Sequence, residues 1–512
     1  MSTSGISSLL SALNPSTNES IAELLGESNT STATSSSTNA TVQDAVNAIL
    51  NSATNTSGSG IDVTSTVDAI LQLDAAPEVN LQNQVTSLNS QTSALQTVEN
   101  DLASLQTAVQ ALNDPTGAFS AVAVTSSNND VVSATAANGT AAGSHTITVT
   151  GLATTSAAYS APQDSSTSAL PTGTLSIQVG TNTAVSIPVE TTDNTDTLTG
   201  LATYINQQNM GVSASVITDA SGARLSLVSQ TSGTAGILNI DDQTGSAPDY
   251  GGMGFTMVKD ANGNDASDAS LSVDGIPITS GSNTVTGVIP GLTLTLSGTS
   301  SNPVTLAVQP DLTQVSTAIN NFISAWNQVM NDINTQNTYN GTGTAPPLLG
   351  DPSLDLLQSQ LLNAVTSSLS GNGAAVNLQS IGIQLQQDGT ISVPTAPQDS
   401  MSLNDALAND FSAVQNLFQS TSPAGVSQTL NTTLTALTDP TNGPLNLDMN
   451  TINTEVTDLN SQISQFQYQL QQTQTQLTTQ YSNINTTLEQ LPELLAQVNE
   501  EINALNPPSN TT

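Results

Sequence analysis

Chemically reactive side chains are scarce in this chain of 512 residues, which has one histidine, two basic residues and no cysteine. The histidine, His145, alternates with Ile147 and Val149 in the two-residue period of a half-buried strand. A catalytic histidine needs a nucleophile and an orienting carboxylate around it, and no such motif accompanies His145. We therefore expect a packed ring at this position and predict that the protein is not an enzyme.

The sequence gives equally little support to phosphate or metal chemistry. Lys259 follows Met257 and Val258 instead of the glycine-rich loop that cradles phosphates. Calcium binds carboxylate and amide oxygens, and a run of these follows the lysine: Asp260, Asn262, Asn264, Asp265 and Asp268. The run lacks the glycine and glutamate spacing of an EF-hand loop. We predict a solvated turn, no metal site and no cofactor.

The charge balance excludes two classes of partner. The chain has 40 Asp and Glu against 2 Lys and Arg, which gives a formal net charge of −38. Nucleic acids and anionic membrane surfaces bind clustered cations, which this chain lacks. No stretch reaches the roughly 18 apolar residues of a membrane span, and the N-terminus lacks the cationic start of a secretory signal peptide. We expect no nucleic-acid partner, no membrane insertion and export without a cleavable signal peptide.

Two apolar stripes, one near each end of the chain, must position whatever lies between them. Both step by three and four residues, which puts one apolar seam on a helix and requires a partner helix to cover it. The N-terminal seam comprises Leu81, Leu88, Leu95, Leu102, Leu105 and Val109, and the C-terminal seam comprises Ile452, Val456, Leu459, Ile463, Phe466, Leu470, Leu477 and Ile484. We predict that the seams pair as an antiparallel coiled-coil stalk, with a kink or restart at Pro492.

Between the stripes the pattern changes to that of strands. Alternating apolar residues at 175–179 and 185–189 predict a hairpin, and residues 198–206 predict a short helix. After Pro310, helical patterns cover 312–333, 354–369, 403–418 and 426–437, with a hairpin at Asp388-Gly389 between the second and the third.

We therefore predict an α+β multidomain protein whose middle is inserted between the two halves of its stalk. Residues 1–57, rich in Ser, Thr and Asn, are expected to be a disordered extension with short amphipathic pieces at 6–13 and 42–50. Residues 58–115 and 445–506 form the coiled-coil stalk, and residues 116–152 and 303–444 form a mixed α/β leg domain. Residues 153–302 form a β-rich head of two subdomains, of which 173–268 is the distal one.

A series of short motifs is similar, in this order along the chain, to those of one family. Gly60, Ile61 and Asp62 precede a short apolar helix, Pro77 and a long heptad helix, and residues 194–205 resemble a repeat shared by flagellins and hook-associated proteins. The other motif positions are Gly143, Ser282, Asn283, Gly291, Gly350, Asp351, Gly382, Asp388 and Gly389. On these residues the chain resembles the flagellar hook-associated protein 2 family, the filament-capping proteins.

The resemblance implies an extracellular assembly factor at the distal tip of a bacterial flagellum. Members of the family form a homo-oligomeric ring, often a pentamer, whose helical legs grip the filament end and whose β-rich heads cover the export channel. Flagellin emerges through the type III export apparatus, folds beneath the ring and is inserted without nucleotide hydrolysis. The implied partners are other copies of the chain, flagellin, the hook–filament junction proteins and an export chaperone.

The sequence departs from the family in its ends and its charge. Residues 1–57 precede the usual start of the family, and Gln, Thr and Asn occupy helix positions where relatives carry Lys and Arg. A flagellin or a hook–filament junction protein remains an alternative, because these share the terminal helices and the repeat near residue 194. An acidic surface adhesin is a more remote alternative, suggested by the acidity and the Ser/Thr richness of the chain.

Overall fold

The computed structural model describes residues 62–244, 252–394 and 401–505. These residues divide into two compact units. Unit 1 contains 62–97, 339–350 and 444–505, and unit 2 contains 98–338 and 351–443 without the two gaps. The predicted extension at 1–57 and the motif residue Gly60 lie outside the described residues.

The predicted α+β class, with long terminal helices and an inserted β-rich region, is confirmed. Nine α-helices occur in the described residues: α1 (Val63–Asp74), α2 (Ala76–Asn113), α3 (Leu198–Gln207), α4 (Leu312–Asn337), α5 (Pro352–Val365), α6 (Leu403–Asn409), α7 (Phe411–Gln419), α8 (Val426–Leu437) and α9 (Pro444–Leu505). No helix among them combines the length and apolar content that crossing a membrane requires.

The strands lie almost entirely between α2 and α4. They are β1 (Val122–Ser126), β2 (Val132–Ala136), β3 (Gly143–Gly151), β4 (Thr155–Tyr159), β5 (Gly173–Val179), β6 (Val185–Val189), β7 (Val212–Asp219), β8 (Gly222–Ser232), β9 (Leu238–Thr244), β10 (Thr256–Val258), β11 (Ala269–Val273), β12 (Ile276–Ser280), β13 (Thr284–Thr286), β14 (Leu292–Leu296), β15 (Val304–Pro310), β16 (Gln384–Leu385) and β17 (Ile391–Ser392).

Local residue chemistry explains where the long helices begin and end. The Asp62 side chain accepts a hydrogen bond from the Ser65 backbone N–H at 3.2 Å and so caps α1. Helix α2 ends at Asn113, two residues before Pro115, because a proline disfavours helical backbone in the residue before it. Of the kink or restart predicted at Pro492, the restart is wrong, since α9 continues through that residue, and the kink stays a prediction. A proline removes one intrahelical hydrogen bond. The other intrahelical hydrogen bonds of this 62-residue helix keep it continuous across Pro492.

Unit 1 is built on the contact between α1 and α9. The Gln467 side-chain amide donates to the Glu78 carboxylate at 2.6 Å. Residues that precede Glu78, among them Asp68 and Leu71, line a groove with residues that follow Gln467, such as Gln474. The N-terminal segment therefore runs antiparallel to α9, as the sequence predicted.

One sandwich-like core in unit 2 joins strands that are far apart in sequence. Its five-stranded sheet has the order β1-β15-β3-β11-β12, and its three-stranded sheet has the order β13-β14-β2. Ile147 of β3 pairs with Val304 on one side and with Val273 on the other. The predicted domain boundaries at residues 152 and 302 therefore cut through this sheet, because strands on both sides of each boundary share one buried core.

A second core in unit 2 contains apolar residues between Leu170 and Leu238, including those of α3, together with Met253. Sheets β10-β4-β8-β7 and β6-β5-β9 contribute to it. The predicted hairpin is confirmed, since Leu175 pairs with Ile187 and Ile177 with Val185. The predicted short helix is α3, whose Thr197 side chain caps its first turn.

The helical part of unit 2 surrounds α4, which buries one face from Val315 to Ile333. The β16–β17 hairpin packs on this helix, and the Trp326 indole N–H donates to the Gly389 carbonyl at 2.9 Å. The single helix predicted over 403–418 is two helices, α6 and α7. They are separated at Asp410, whose backbone is not helical.

Candidate functional site

The distinctive residues of this chain lie on apolar helix faces, at helix caps and in turns. The candidate functional site is therefore an assembly surface. The N-terminal seam is covered to different degrees along α2. Leu81 and Leu88 are half-buried, whereas the next four predicted positions are fully buried: Leu95, Leu102, Leu105 and Val109. The heptad spacing thus predicts which face of α2 is withdrawn from water, and the cover increases toward its C-terminal half.

The C-terminal seam follows the same face of α9 through its first half. Leu459 and Ile463 are buried, and five further predicted positions are half-buried: Ile452, Val456, Phe466, Leu470 and Leu477. The register departs from the prediction at Ile484, which is 39% exposed. Tyr481, Asn485 and Leu488 are half-buried instead.

Two successive four-residue steps, from Leu477 to Tyr481 and on to Asn485, explain this departure. A straight helix has 3.6 residues per turn, so a strict seven-residue repeat drifts around it unless the helix supercoils. An extra four-residue step keeps the half-buried residues on the covered side of α9. Ile484 then lies off that side and is exposed. The polar Asn485 in this position weakens apolar cover at the far end of α9.

Beyond residue 488 the cover of α9 ceases, although the apolar pattern continues. Within the part of α9 whose side chains are described, every residue from 489 to 502 is exposed. Five large apolar side chains are among them: Leu491 at 48%, Leu494 at 64%, Leu495 at 57%, Val498 at 44% and Ile502 at 56%. We call these five residues the α9 end face.

The family-motif residues act through backbone geometry. Asp351 caps α5 by accepting from the Ser353 N–H at 2.8 Å. Gly291 and Gly382 have positive φ angles, of 81° and 86°, that other residues adopt only with strain. A Cβ on Gly382 would lie 2.5 Å from the Met401 carbonyl oxygen, so only glycine fits. These positions fix helix ends and chain reversals.

The Asp388-Gly389 turn is held by side chains of α4. The Asp388 carboxylate accepts from the Thr390 N–H at 3.0 Å, and its carbonyl accepts from the Asn334 amide at 2.8 Å. Gly389 has a φ of +82°, as the tight turn requires. The Thr390 bonds, side chain first, lower the pKa of Asp388.

The other motif positions lie at element ends. Pro77 is the second residue of α2, where a missing N–H costs little. Gly143 begins β3 in open surroundings, Ser282 accepts from the Thr284 N–H at 3.1 Å, and Gly350 precedes the Asp351 cap with a φ of +80°.

Sequence reasoning missed a recurring device in which an asparagine side chain pairs with both backbone groups of a distant residue. Asn283 accepts from the Ala153 N–H at 2.8 Å and donates to its carbonyl at 2.9 Å. Asn327 does the same with Ile391, at 2.7 and 2.8 Å. The partners are 130 and 64 residues away in sequence, so no local pattern marks them. We call each such pair of hydrogen bonds an amide bracket. In this chain, which has few cations, amide brackets connect distant segments in the way that ion pairs do in other proteins.

The few charged contacts are structural. His145 Nδ1 lies 2.8 Å from Asp274 Oδ2, and this hydrogen bond, together with one from the Thr146 N–H, lowers the pKa of Asp274. His145 is half-buried and faces this carboxylate, so the expected packed ring is a hydrogen-bond partner of Asp274. Lys259 pairs with Asp265 at 2.5 Å.

The Asp/Asn run folds as a loop closed on itself. Asp260 accepts from the backbone N–H groups of Asn262 and Asn264, both at 2.8 Å, and from the Ser267 hydroxyl at 2.5 Å. The Ser267 bond is the main reason that the pKa of Asp260 is lowered. Asp268 instead accepts from the Thr234 N–H at 2.6 Å. Within the described residues, no three acidic or imidazole side chains converge as a metal site would need.

A second feature that the sequence did not reveal is a carboxyl pair between α2 and α4. Asp101 is half-buried and lies beside the half-buried Asp332 carboxyl. Burial, followed by the hydrogen bond and the repulsion from Asp332, raises the pKa of Asp101 to about 6. Protonation of Asp101 in mild acid relieves this repulsion.

Three family models match this chain in the order expected for one architecture. Residues 59–156 match "Flagellar hook-associated protein 2 N-terminus", residues 174–231 match "Flagellin hook IN motif", and residues 266–493 match "Flagellar hook-associated protein 2 C-terminus". The third model ends at residue 493, within the α9 end face.

Two proteins described as flagellar hook-associated protein 2 are similar to this chain over most of their length. The B-type flagellar hook-associated protein 2 of Pseudomonas aeruginosa is 30% identical over 401 residues, which cover 74% of this chain and 82% of that protein. The flagellar hook-associated protein 2 of Escherichia coli is 27% identical over 397 residues, which cover 74% of this chain and 83% of that protein.

A solved structure supports the same assignment. The D1-D2-D3 domains of the flagellar cap protein FliD from Escherichia coli superpose with a TM-score of 0.53 at 27% identity, covering 70% of this chain and 99% of that one. The relative from Pseudomonas aeruginosa, the ordered family models and this superposition agree. The chain therefore belongs to the flagellar hook-associated protein 2 family.

Proposed function

We propose that this chain caps the distal end of a flagellar filament and promotes the insertion of exported flagellin subunits. The observation that carries the proposal is the similarity, over most of the chain, to a solved flagellar cap protein. The helices of unit 1 and the β-rich cores of unit 2 give the chain the two kinds of part that a cap needs, namely legs and a covering head.

The working form is a homo-oligomeric ring, pentamer-like in size, at the extracellular tip. Within the described residues only two Lys or Arg side chains are present, and both lie near acidic partners in their own chain. Contacts between copies therefore rest on apolar and amide groups, while the net charge of −38 per copy opposes them.

The ring acts by confinement and needs no nucleotide. Flagellin arrives unfolded through the type III export route, folds in the space beneath the heads and joins the filament as the legs rearrange. The partners are other copies of this chain, flagellin, the hook–filament junction proteins and an export chaperone. The chain itself leaves the cell by the same route.

A hook–filament junction protein or a flagellin is the second candidate, favoured by the flagellin hook motif at residues 174–231. The match at residues 266–493 favours the cap. Electron microscopy of the purified chain separates these functions, because a cap forms small closed rings and a flagellin forms filaments.

Deletion of the gene in its source organism tests the proposal. We expect cells without the protein to release monomeric flagellin into the medium and to lack long filaments, and we expect the wild-type gene on a plasmid to restore them. An empty plasmid is the matched control. Filaments of normal length in the deletion strain would contradict a capping role.

A further inference from the structure

Asparagine followed by glycine is the sequence in which a side-chain amide is lost most readily, because glycine has no side chain to hinder the attack of its own nitrogen on that amide. The attack needs a glycine N–H and an asparagine amide that no other group holds by a hydrogen bond. The chain has five such pairs, all in the described residues: Asn138-Gly139, Asn262-Gly263, Asn340-Gly341, Asn372-Gly373 and Asn442-Gly443.

Four of the five pairs are held by hydrogen bonds. In three of them the glycine N–H donates to a backbone carbonyl: Gly139 to Ser120 at 2.8 Å, Gly263 to Asp260 at 3.0 Å and Gly443 to Asp439 at 2.8 Å. In the fourth, the Asn372 side-chain amide donates to the carbonyls of Ala375 at 2.8 Å and Ala413 at 2.7 Å. Reaction at these pairs must therefore wait for a local opening of the structure.

The fifth pair, Asn340-Gly341, lies in the loop between α4 and α5, where residues 339–345 are all exposed. Among the described residues, no acceptor receives a hydrogen bond from the Gly341 N–H or from the Asn340 side-chain amide. A Cβ placed on Gly341 would have no atom within 4 Å, so the surroundings leave room for reaction.

The Asn340 side chain is also turned toward the backbone that follows it. Its Oδ1 accepts from the Thr342 N–H at 3.1 Å and from the Thr342 hydroxyl at 2.8 Å. Both donors draw electron density from the amide carbonyl, which makes its carbon a better target for a nucleophile.

We propose that Asn340 is a site of spontaneous deamidation in the folded protein. Hydroxide removes the Gly341 amide proton, and the nitrogen forms a bond to Cγ of Asn340. The bond from Cγ to Nδ2 breaks, and Nδ2 leaves as ammonia after taking a proton from water, which regenerates hydroxide. The product is a five-membered succinimide ring.

Water then opens the ring in one of two ways. Cleavage of the new bond to Cγ gives aspartate at residue 340, whereas cleavage of the original peptide bond to Gly341 gives isoaspartate, whose main chain runs through Cβ and Cγ. Either product adds a carboxylate to a chain whose net charge is already −38. Isoaspartate also lengthens the main chain inside a loop that the Tyr339 hydroxyl closes by donating to the Gly343 carbonyl at 3.1 Å. The modification needs only water and hydroxide, so it is independent of filament capping.

Peptide mass mapping of the purified full-length chain, kept folded in mildly alkaline buffer, tests the proposal. One hydrogen bond of ordinary strength corresponds to a factor of about five in rate. We therefore expect product at Asn340 to form at least about fivefold faster than at any of the other four pairs. Isoaspartate, separated from aspartate by chromatography, is expected in that product because only the ring gives it.

Two controls separate the effect of the fold from that of the sequence. In urea the hydrogen bonds are lost, and the five pairs are expected to react within about threefold of one another. In Asn340→Gln, whose longer side chain cannot close the five-membered ring, we expect no product at residue 340 and unchanged rates at the other four. The proposal would be overturned by an equal rate at another pair in the folded chain, by a folded chain in which Asn340 stays intact while the unfolded chain reacts, or by a product at residue 340 without isoaspartate.

Discussion

The two ends of the heptad pattern differ in cover, although they have the same spacing. In the C-terminal half of α2, Leu95, Leu102 and Leu105 are completely buried. In the last turns of α9, Leu494 and Leu495 are more than half exposed. Periodicity therefore predicts a helix and its apolar face, whereas burial of that face depends on which partner is present. The first region carries the stability of the fold, and the second is available for association.

The largest expected difference between the two regions lies in leucine truncation. Leu102→Ala removes a fully buried side chain and is expected to lower the free energy of unfolding by about 3 kcal/mol. Leu494→Ala, its matched control on α9, is expected to change it by less than about 0.5 kcal/mol. Native-state hydrogen exchange of the α2 amides measures both. Equal effects would show that the α9 end face is covered within the chain.

A second pair of substitutions separates crowded from open turns among the motif glycines. Gly382→Ala forces a Cβ against the Met401 carbonyl at a φ of +86° and is expected to destabilise the chain by about 2 kcal/mol. Gly143→Ala places a Cβ where no atom lies within 4 Å and is expected to cost less than about 0.5 kcal/mol. Urea unfolding followed by tryptophan fluorescence reports the difference, because Trp326 is the one tryptophan of the chain and its indole N–H donates to the carbonyl of Gly389, seven residues after Gly382. A similar midpoint for both variants would refute the backbone role of Gly382.

The carboxyl pair makes the buried region sensitive to pH. Burial and Asp332 raise the pKa of Asp101 to about 6 in the folded chain, above the ordinary value of 3.8. The folded state therefore holds the proton more tightly, and stability falls as pH rises from about 4 through about 6. Because the pair is partly solvated, we expect a loss of about 1 kcal/mol.

Asp101→Asn tests this pH dependence. We expect it to stabilise the chain at pH 7.5 by about 1 kcal/mol and to flatten the change between pH 4 and pH 6. Asp458→Asn, on the exposed side of α9, is the control. Thermal unfolding at a series of pH values would contradict the account if the two variants had parallel profiles.

The smallest expected effect concerns contacts between copies. Screening extends only about 8 Å at physiological salt, so acidic surfaces repel one another where they meet. We expect sodium chloride at 0.5 M to lower the concentration for half-maximal ring formation by about threefold relative to 0.1 M. Lowering the pH toward the carboxylate pKa values acts in the same direction. Light scattering measures ring formation, and rings that weaken with salt would imply attraction between opposite charges.

The sequence predicted local structure well because local structure has local signals. The hairpin at residues 175–189, the Asp388-Gly389 turn and helix α8 all follow from spacing and turn chemistry. The strand order β1-β15-β3-β11-β12 was not predictable, since it joins residues near 122 to residues near 310 without any local mark. For the same reason the boundaries at residues 152 and 302 fell inside a sheet.

The residues of the candidate site also divide into those that have a local signal in the sequence and those that do not. Asp62 and Asp351 were found as motif residues, and their role as caps follows from the residue type. The Asn283 bracket and the Asp101–Asp332 pair depend on partners distant in sequence. Ile484 was misplaced because the seam inserts a four-residue step that a repeat of seven does not anticipate.

The position of the protein on the flagellum tests the proposed function most directly. An epitope-tagged chain, expressed in place of the wild-type protein and labelled with gold-conjugated antibody, is expected to appear as a single cluster at the distal tip of each filament by electron microscopy. Label along the whole filament would identify a flagellin, and label at the hook–filament boundary would identify a junction protein. Either result would contradict the assignment as a cap.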